Sequence, residues 1–192
     1  MIAMHSRYLW AAAVVVALAQ IAVLGSMIWG RAAILRSGRE VTLQVEPVDP
    51  RDLLRGDYVI VNYNVSRFPQ ALVTGPKKDA NSSFHTIFVR LKPAADGIWQ
   101  PVSANFDVPA PGAAPDEVDI RGVVDWIPPQ DSDLGVTYGI ERFYLPEGEG
   151  LAIEEGIGVR PFRMKVAVAS DGAPQIKAFY DGDKMIYAEP LY

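Results

Sequence analysis

The sequence predicts a mainly β domain, a small antiparallel sandwich or partly open barrel, carried on one N-terminal transmembrane helix. Two observations predict this. Residues 8–29 read YLWAAAVVVALAQIAVLGSMIW and carry no formal charge, as a hydrocarbon layer demands. From residue 41 onward, short runs of β-branched and aromatic residues alternate with separators rich in Gly, Pro, Asp and Asn, the pattern of strands joined by turns.

The anchor comes first. At 1.5 Å per residue, Trp10 to Trp29 covers roughly 28 Å, close to a hydrocarbon core of about 30 Å. A tryptophan at each end suits the two aromatic belts of a bilayer. Ala17-Leu18-Ala19 offers a signal-peptidase site, but cleavage there would leave an apolar N-terminus, so an uncleaved anchor is expected. Helix is expected to continue through Arg36 and to end at Ser37-Gly38 with a terminal glycine. This divides the chain into an anchor with its extension, 1–38, and a β domain, 39–192.

Nine strands are expected within the domain, at 41–45, 58–65, 85–91, 98–101, 118–126, 137–145, 162–169, 175–180 and 185–188. Asp171-Gly172-Ala173-Pro174 and Asp181-Gly182-Asp183 have the composition of turns between antiparallel neighbours. Residues 66–83 and 108–115 read as loops, and 148–155 as one short polar helix.

Charge and composition exclude several functions. The 192-residue chain has a formal net charge of −5 and a pI of about 5.0, which argues against nucleic acid, since phosphate binding needs a basic surface. There are no cysteines, and the two histidines, His5 and His85, fall on opposite sides of the apolar run. Neither a thiolate zinc site nor a two-histidine metal site within one domain is available. No metal and no cofactor are expected.

The densest motif is 46–63, EPVDPRDLLRGDYVIVNY. Asp49, Arg51, Arg55, Gly56 and Asp57 make a charged turn, from which a strand beginning at Tyr58 runs to Tyr63. Asp57 is expected to cap that turn or to pair with an arginine. A second motif is Tyr138-Gly139-Ile140-Glu141-Arg142-Phe143-Tyr144, followed by Pro146-Glu147-Gly148-Glu149-Gly150. Alternating Gly and Glu suit a shaped loop facing another chain, so Glu141, Pro146, Glu147, Gly148, Glu149 and Gly150 are candidate interaction residues. Carboxylates at this spacing match no calcium loop, and solvated charge is their more frequent use. Tyr58, Tyr63, Trp99 and Trp126 are candidate walls of a small-ligand site, or else core.

Gly56-Asp57-Tyr58-Val59-Ile60-Val61-Asn62-Tyr63 resembles the signature of the GDYXXLXY family of bacterial membrane-anchored proteins, with Val61 where that pattern has Leu. The second motif and the closing run Val166-Ala167-Val168-Ala169 extend the resemblance from about residue 41 to the end. It brings no assigned activity. It implies a bacterial inner-membrane protein with a single span, a periplasmic C-terminal domain and a polytopic membrane protein as partner. Charge alone points the other way: Arg31, Arg36 and Arg39 after the span outnumber Arg7 before it, which favours a cytoplasmic C-terminal side. The expected function is an accessory or interaction domain without catalysis. The alternative is an envelope enzyme or small-ligand binder using the Asp57 turn or the Glu147/Glu149 loop.

Overall fold

The computed structural model describes residues 2–46, 58–76, 78, 84–129, 132–144, 153 and 156–190. Among the described residues, one long helix, α1 (Ile2–Ser37), precedes twelve strands. These are β1 (Arg39–Glu46), β2 (Tyr58–Ile60), β3 (Asn62–Tyr63), β4 (Arg67–Pro69), β5 (His85–Pro93), β6 (Trp99–Phe106), β7 (Val118–Val124), β8 (Asp133–Gly135), β9 (Arg142–Tyr144), β10 (Phe162–Val168), β11 (Pro174–Asp181) and β12 (Lys184–Ala188).

Every pairing of these strands is antiparallel. One sheet runs in the order β12-β11-β10-β1-β3, a second in the order β6-β5-β7, and two short ladders join β2 to β9 and β4 to β8. Among the described residues no ring of strands closes, so the fold is mainly antiparallel β without a closed barrel, as expected. Period-two alternation explains the core. Val41, Leu43 and Val45 of β1, with Phe162, Met164, Val166 and Val168 of β10, face Ile87, Val89 and Leu91 of β5 and Val118, Ile120 and Val124 of β7 across one continuous cluster.

The two expected turns, at Asp171 and Asp181, join β10 to β11 and β11 to β12. Other boundaries differ. The expected strand 58–65 is interrupted at Val61, whose amide donates to the Glu141 carbonyl at 2.9 Å. The expected strand 137–145 is a turn at 138–141 followed by β9. Residues 66–83 contain β4 and a single 3-10 turn at Gln70–Leu72. The expected strand 98–101 continues to Phe106, and that at 118–126 stops at Val124. The helix expected at 148–155 lies almost wholly outside the described residues, with only Ile153 inside them.

Two environments divide α1. From Tyr8 to Arg31 its side chains are exposed, and the mean hydropathy there reaches 2.3, enough to cross a membrane. One turn further on, Ala32 and Leu35 are buried, and this end of the helix packs on β10 and β11. Gly38 ends the helix as expected, for a different reason. Its backbone is not left-handed; a Cβ there would lie 2.6 Å from the Ile34 carbonyl oxygen and 3.1 Å from that of Val168. Only glycine lets the helix end approach β10 so closely.

Candidate functional site

The two sequence motifs meet in space. β2 pairs with β9 so that Tyr58 lies opposite Tyr144, Val59 opposite Phe143 and Ile60 opposite Arg142. Beyond this ladder the chains exchange tyrosine hydroxyls. Tyr63 donates to the Ile140 carbonyl at 2.6 Å, and Tyr138 donates to the Val65 carbonyl at 2.7 Å. Tyr63 of the first motif is thus anchored on the second motif's backbone, and Tyr138 of the second on the chain two residues past the first.

Glu141 sets the turn that makes this possible. Its carboxylate accepts from the backbone amides of Tyr138 and Gly139, replacing donors' lost water with a charge-assisted bond. Gly122 of β7 makes the room: a Cβ there would stand 2.4 Å from Val136 Cγ1 and 3.0 Å from Tyr138 Cδ1. Burial pushes the Tyr63 phenol far above its ordinary range, and the neighbouring Glu141 charge pushes the same way. Tyr138 is raised by the same two causes in the same order. Both rings are therefore neutral donors, locked into the core, and neither presents a nucleophile or a base to solvent.

A second buried constellation lies on the other sheet. Arg90 sits opposite Asp119 in the β5–β7 register and bonds both carboxylate oxygens, Nε and Nη2 each at 2.9 Å. Its remaining donors reach the carbonyls of Ala110 and Pro111, tying down the expected loop 108–115. The Asp119 hydrogen bond holds the Arg90 pKa above its ordinary value against the opposing effect of burial. Sequence reasoning passed over this pair. Its only signal was an arginine among the apolar residues of β5, and its partner is identified only by the register.

The predicted residues distribute as follows. Tyr63 is core, not a pocket wall, and Trp99 packs partly buried against the same cluster. Trp126 is 51% exposed and lines a separate cleft of about 430 Å³ with Asp125, Arg67 and Asn62, so the proposed aromatic walls do not converge. Tyr58 is placed by its backbone alone. Glu141, partly buried, spends its carboxylate on the Tyr138 and Gly139 amides. Asn64, part of a glycosylation sequon, is bonded into the fold through the Gln44 amide and the Trp99 carbonyl. Trp10 and Trp29 stand exposed at the two ends of the apolar span. Asp49, Arg51, Arg55, Gly56 and Asp57, and Pro146, Glu147, Gly148, Glu149 and Gly150, lie outside the described residues. Among the described residues no group of three His, Cys, Asp or Glu side chains is placed to hold a metal ion.

Comparison with known proteins adds one finding. The family model described as GDYXXLXY protein matches residues 20–179. No curated protein and no solved structure matches the chain.

Proposed function

The chain belongs to the GDYXXLXY family, and from that premise we propose that it is a membrane-held accessory domain associating with an integral membrane protein. In this reading it works by association rather than catalysis, from the periplasmic face of a bacterial inner membrane. The observation that carries the proposal is the unbroken passage of α1 from an uncovered apolar span into the domain core at Ala32 and Leu35. A flexible tether would hold the domain near the bilayer in any orientation. A docked helix fixes which face of the domain meets a neighbour in the same membrane. Ala12, Ala13, Ala17, Gly25 and Ser26 leave the span open to close helix approach, and nothing lies within 4 Å of where a Gly25 Cβ would sit.

The test is purification of the full chain in mild detergent, with identification of what co-elutes. One integral membrane protein is expected at a fixed ratio. It should be lost when residues 8–29 are replaced by polyleucine while Ala32 and Leu35 are kept. A reporter fused after Tyr192 should be active only outside the cytoplasm. Elution of the chain alone would refute the partner, and a reporter active in the cytoplasm would show that Arg31, Arg36 and Arg39 set the topology.

The alternative, an envelope enzyme or small-ligand binder, has one observation in its favour. Because Tyr58 pairs with Tyr144, the chain leading back to Asp57 and the chain leading on to Glu147 and Glu149 leave the same end of one ladder. Asp57→Asn, or Glu147→Gln with Glu149→Gln, should then abolish function at unchanged stability; retained function would discard this alternative.

A further inference from the structure

A pocket of about 390 Å³ opens beside the point where α1 meets the domain. Arg31 of α1 and Arg142 of β9 are among the residues that line it. Ile140, Phe143 and Ile176 form an apolar floor, all three buried in the protein, and Glu189 adds one carboxylate. Guanidinium groups match phosphate oxygens in a planar, two-pronged geometry that an ammonium lacks.

The height of the pocket gives the ligand its class. Trp29, 73% exposed, ends a span of the right length for the hydrocarbon layer. Arg31 follows two residues later, about 3 Å further along the helix axis, the depth at which lipid phosphates lie. Because Ala32 and Leu35 dock this end of α1 on β10 and β11, the strand residues that share the pocket with Arg31 are held at the same level.

We propose that this pocket binds the phosphodiester of a phospholipid headgroup, with Arg31 and Arg142 on the phosphate and the acyl chains left in the bilayer beside α1. Glu189 sets the selectivity. Its carboxylate disfavours headgroups with a second negative charge and accepts a hydrogen bond from a headgroup amine or hydroxyl, as in phosphatidylethanolamine or phosphatidylglycerol. The inference rests on α1 crossing a bilayer; it needs neither the proposed orientation nor the proposed partner.

The test uses the full chain in detergent micelles and native mass spectrometry with added phosphatidylglycerol, phosphatidylethanolamine or inorganic phosphate. The wild-type protein should retain a phospholipid at least five-fold better than Arg31→Gln or Arg142→Gln, with Arg31→Lys between them. Arg163→Gln, which removes an arginine from β10, should retain lipid as the wild type does. Melting temperatures of the same samples separate lost binding from lost folding, and Arg31→Gln is expected to melt with the wild type because Arg31 is exposed. Equal lipid retention by wild type and both Gln variants would overturn the pocket while leaving the membrane reading intact. Retention of inorganic phosphate with no preference for lipid would overturn the headgroup assignment. A full chain released from membranes by carbonate would overturn both this proposal and the membrane reading beneath it.

Discussion

Two buried locks hold distant segments of this domain together, and they work by different chemistry. The interlock of Tyr63 with Ile140 and Tyr138 with Val65 is neutral, two hydroxyls donating to two backbone carbonyls inside an apolar shell. The clamp of Arg90 on Asp119 and the 110–111 carbonyls is charged and bidentate. The neutral lock desolvates no charge of its own; Glu141, which shapes it, remains only partly buried. The charged lock carries the desolvation of a guanidinium, 8% exposed, and a carboxylate, 17% exposed. Breaking either lock therefore leaves a different thing behind: an unpaired carbonyl in one case, a stranded ion in the other. Both motifs contribute to the neutral lock, the first through Tyr63 and the second through Tyr138 and Ile140.

The largest effect should come from the charged lock. Asp119→Ala leaves the buried Arg90 with only the more distant Glu117 carboxylate, 3.9 Å away, and should cost about 3–5 kcal/mol in urea unfolding of the domain. A loss below about 1 kcal/mol would show the clamp to be as replaceable as a surface pair. The docked end of α1 supplies an apolar reference for both locks. Leu35→Ala should cost about 3 kcal/mol, whereas Leu24→Ala, in the uncovered span, should leave domain stability within about 0.5 kcal/mol of wild type. A fragment beginning at Arg39 discards Ala32 and Leu35, so it should melt below one beginning at Arg31.

The neutral lock should respond less. Tyr63→Phe keeps the ring and leaves the Ile140 carbonyl unpaired, at a cost of about 1–2 kcal/mol. Its distinguishing mark is pH. The folded-state pKa of Tyr63 is raised, by burial first and by Glu141 second, from an ordinary value of 10.0. The stability this group contributes is therefore fully present below about pH 10 and lost as pH rises beyond it. Melting temperature measured from pH 8 to 11.5 should fall steeply above about pH 10, and less steeply in Tyr63→Phe. Arg90, held charged by Asp119, adds nothing to that alkaline limb.

Much of this was legible in the chain before any coordinates. The apolar span and the two aspartate-glycine turns depend on local chemistry, and the structure has them where local chemistry puts them; the glycine stop falls where expected but serves the close approach to β10. The strands β1 and β7, whose burial alternates, and β5 and β10, which alternate over their first halves, were legible for the same reason. What escaped depends on segments far apart in sequence. Val61 still bonds the Glu141 carbonyl in the register of β2 and β9, and the run breaks there because Asn62 and Tyr63 pair with β1 instead. Residues 138–141 turn because the Glu141 side chain bonds the Tyr138 and Gly139 amides. β4 and β8 are three residues each and exist because they pair with each other. The bonds of Glu141, read as an interaction residue, to the Tyr138 and Gly139 amides had no signal in the sequence, and Arg90 was silent until the register set Asp119 across from it.

The two motifs interlock through β2 and β9 and through Tyr63 and Tyr138. A double-mutant cycle of Tyr63→Phe and Tyr138→Phe, followed by thermal unfolding of the fragment beginning at Arg31, tests this interlock most directly. Both hydroxyls hold the same turn onto the same segment. Each single change should therefore lower stability, with a coupling of at least about 0.5 kcal/mol between them. Full stability in both single variants and in the double variant, with function in cells nonetheless lost, would contradict the claim and make the tyrosines part of a working site.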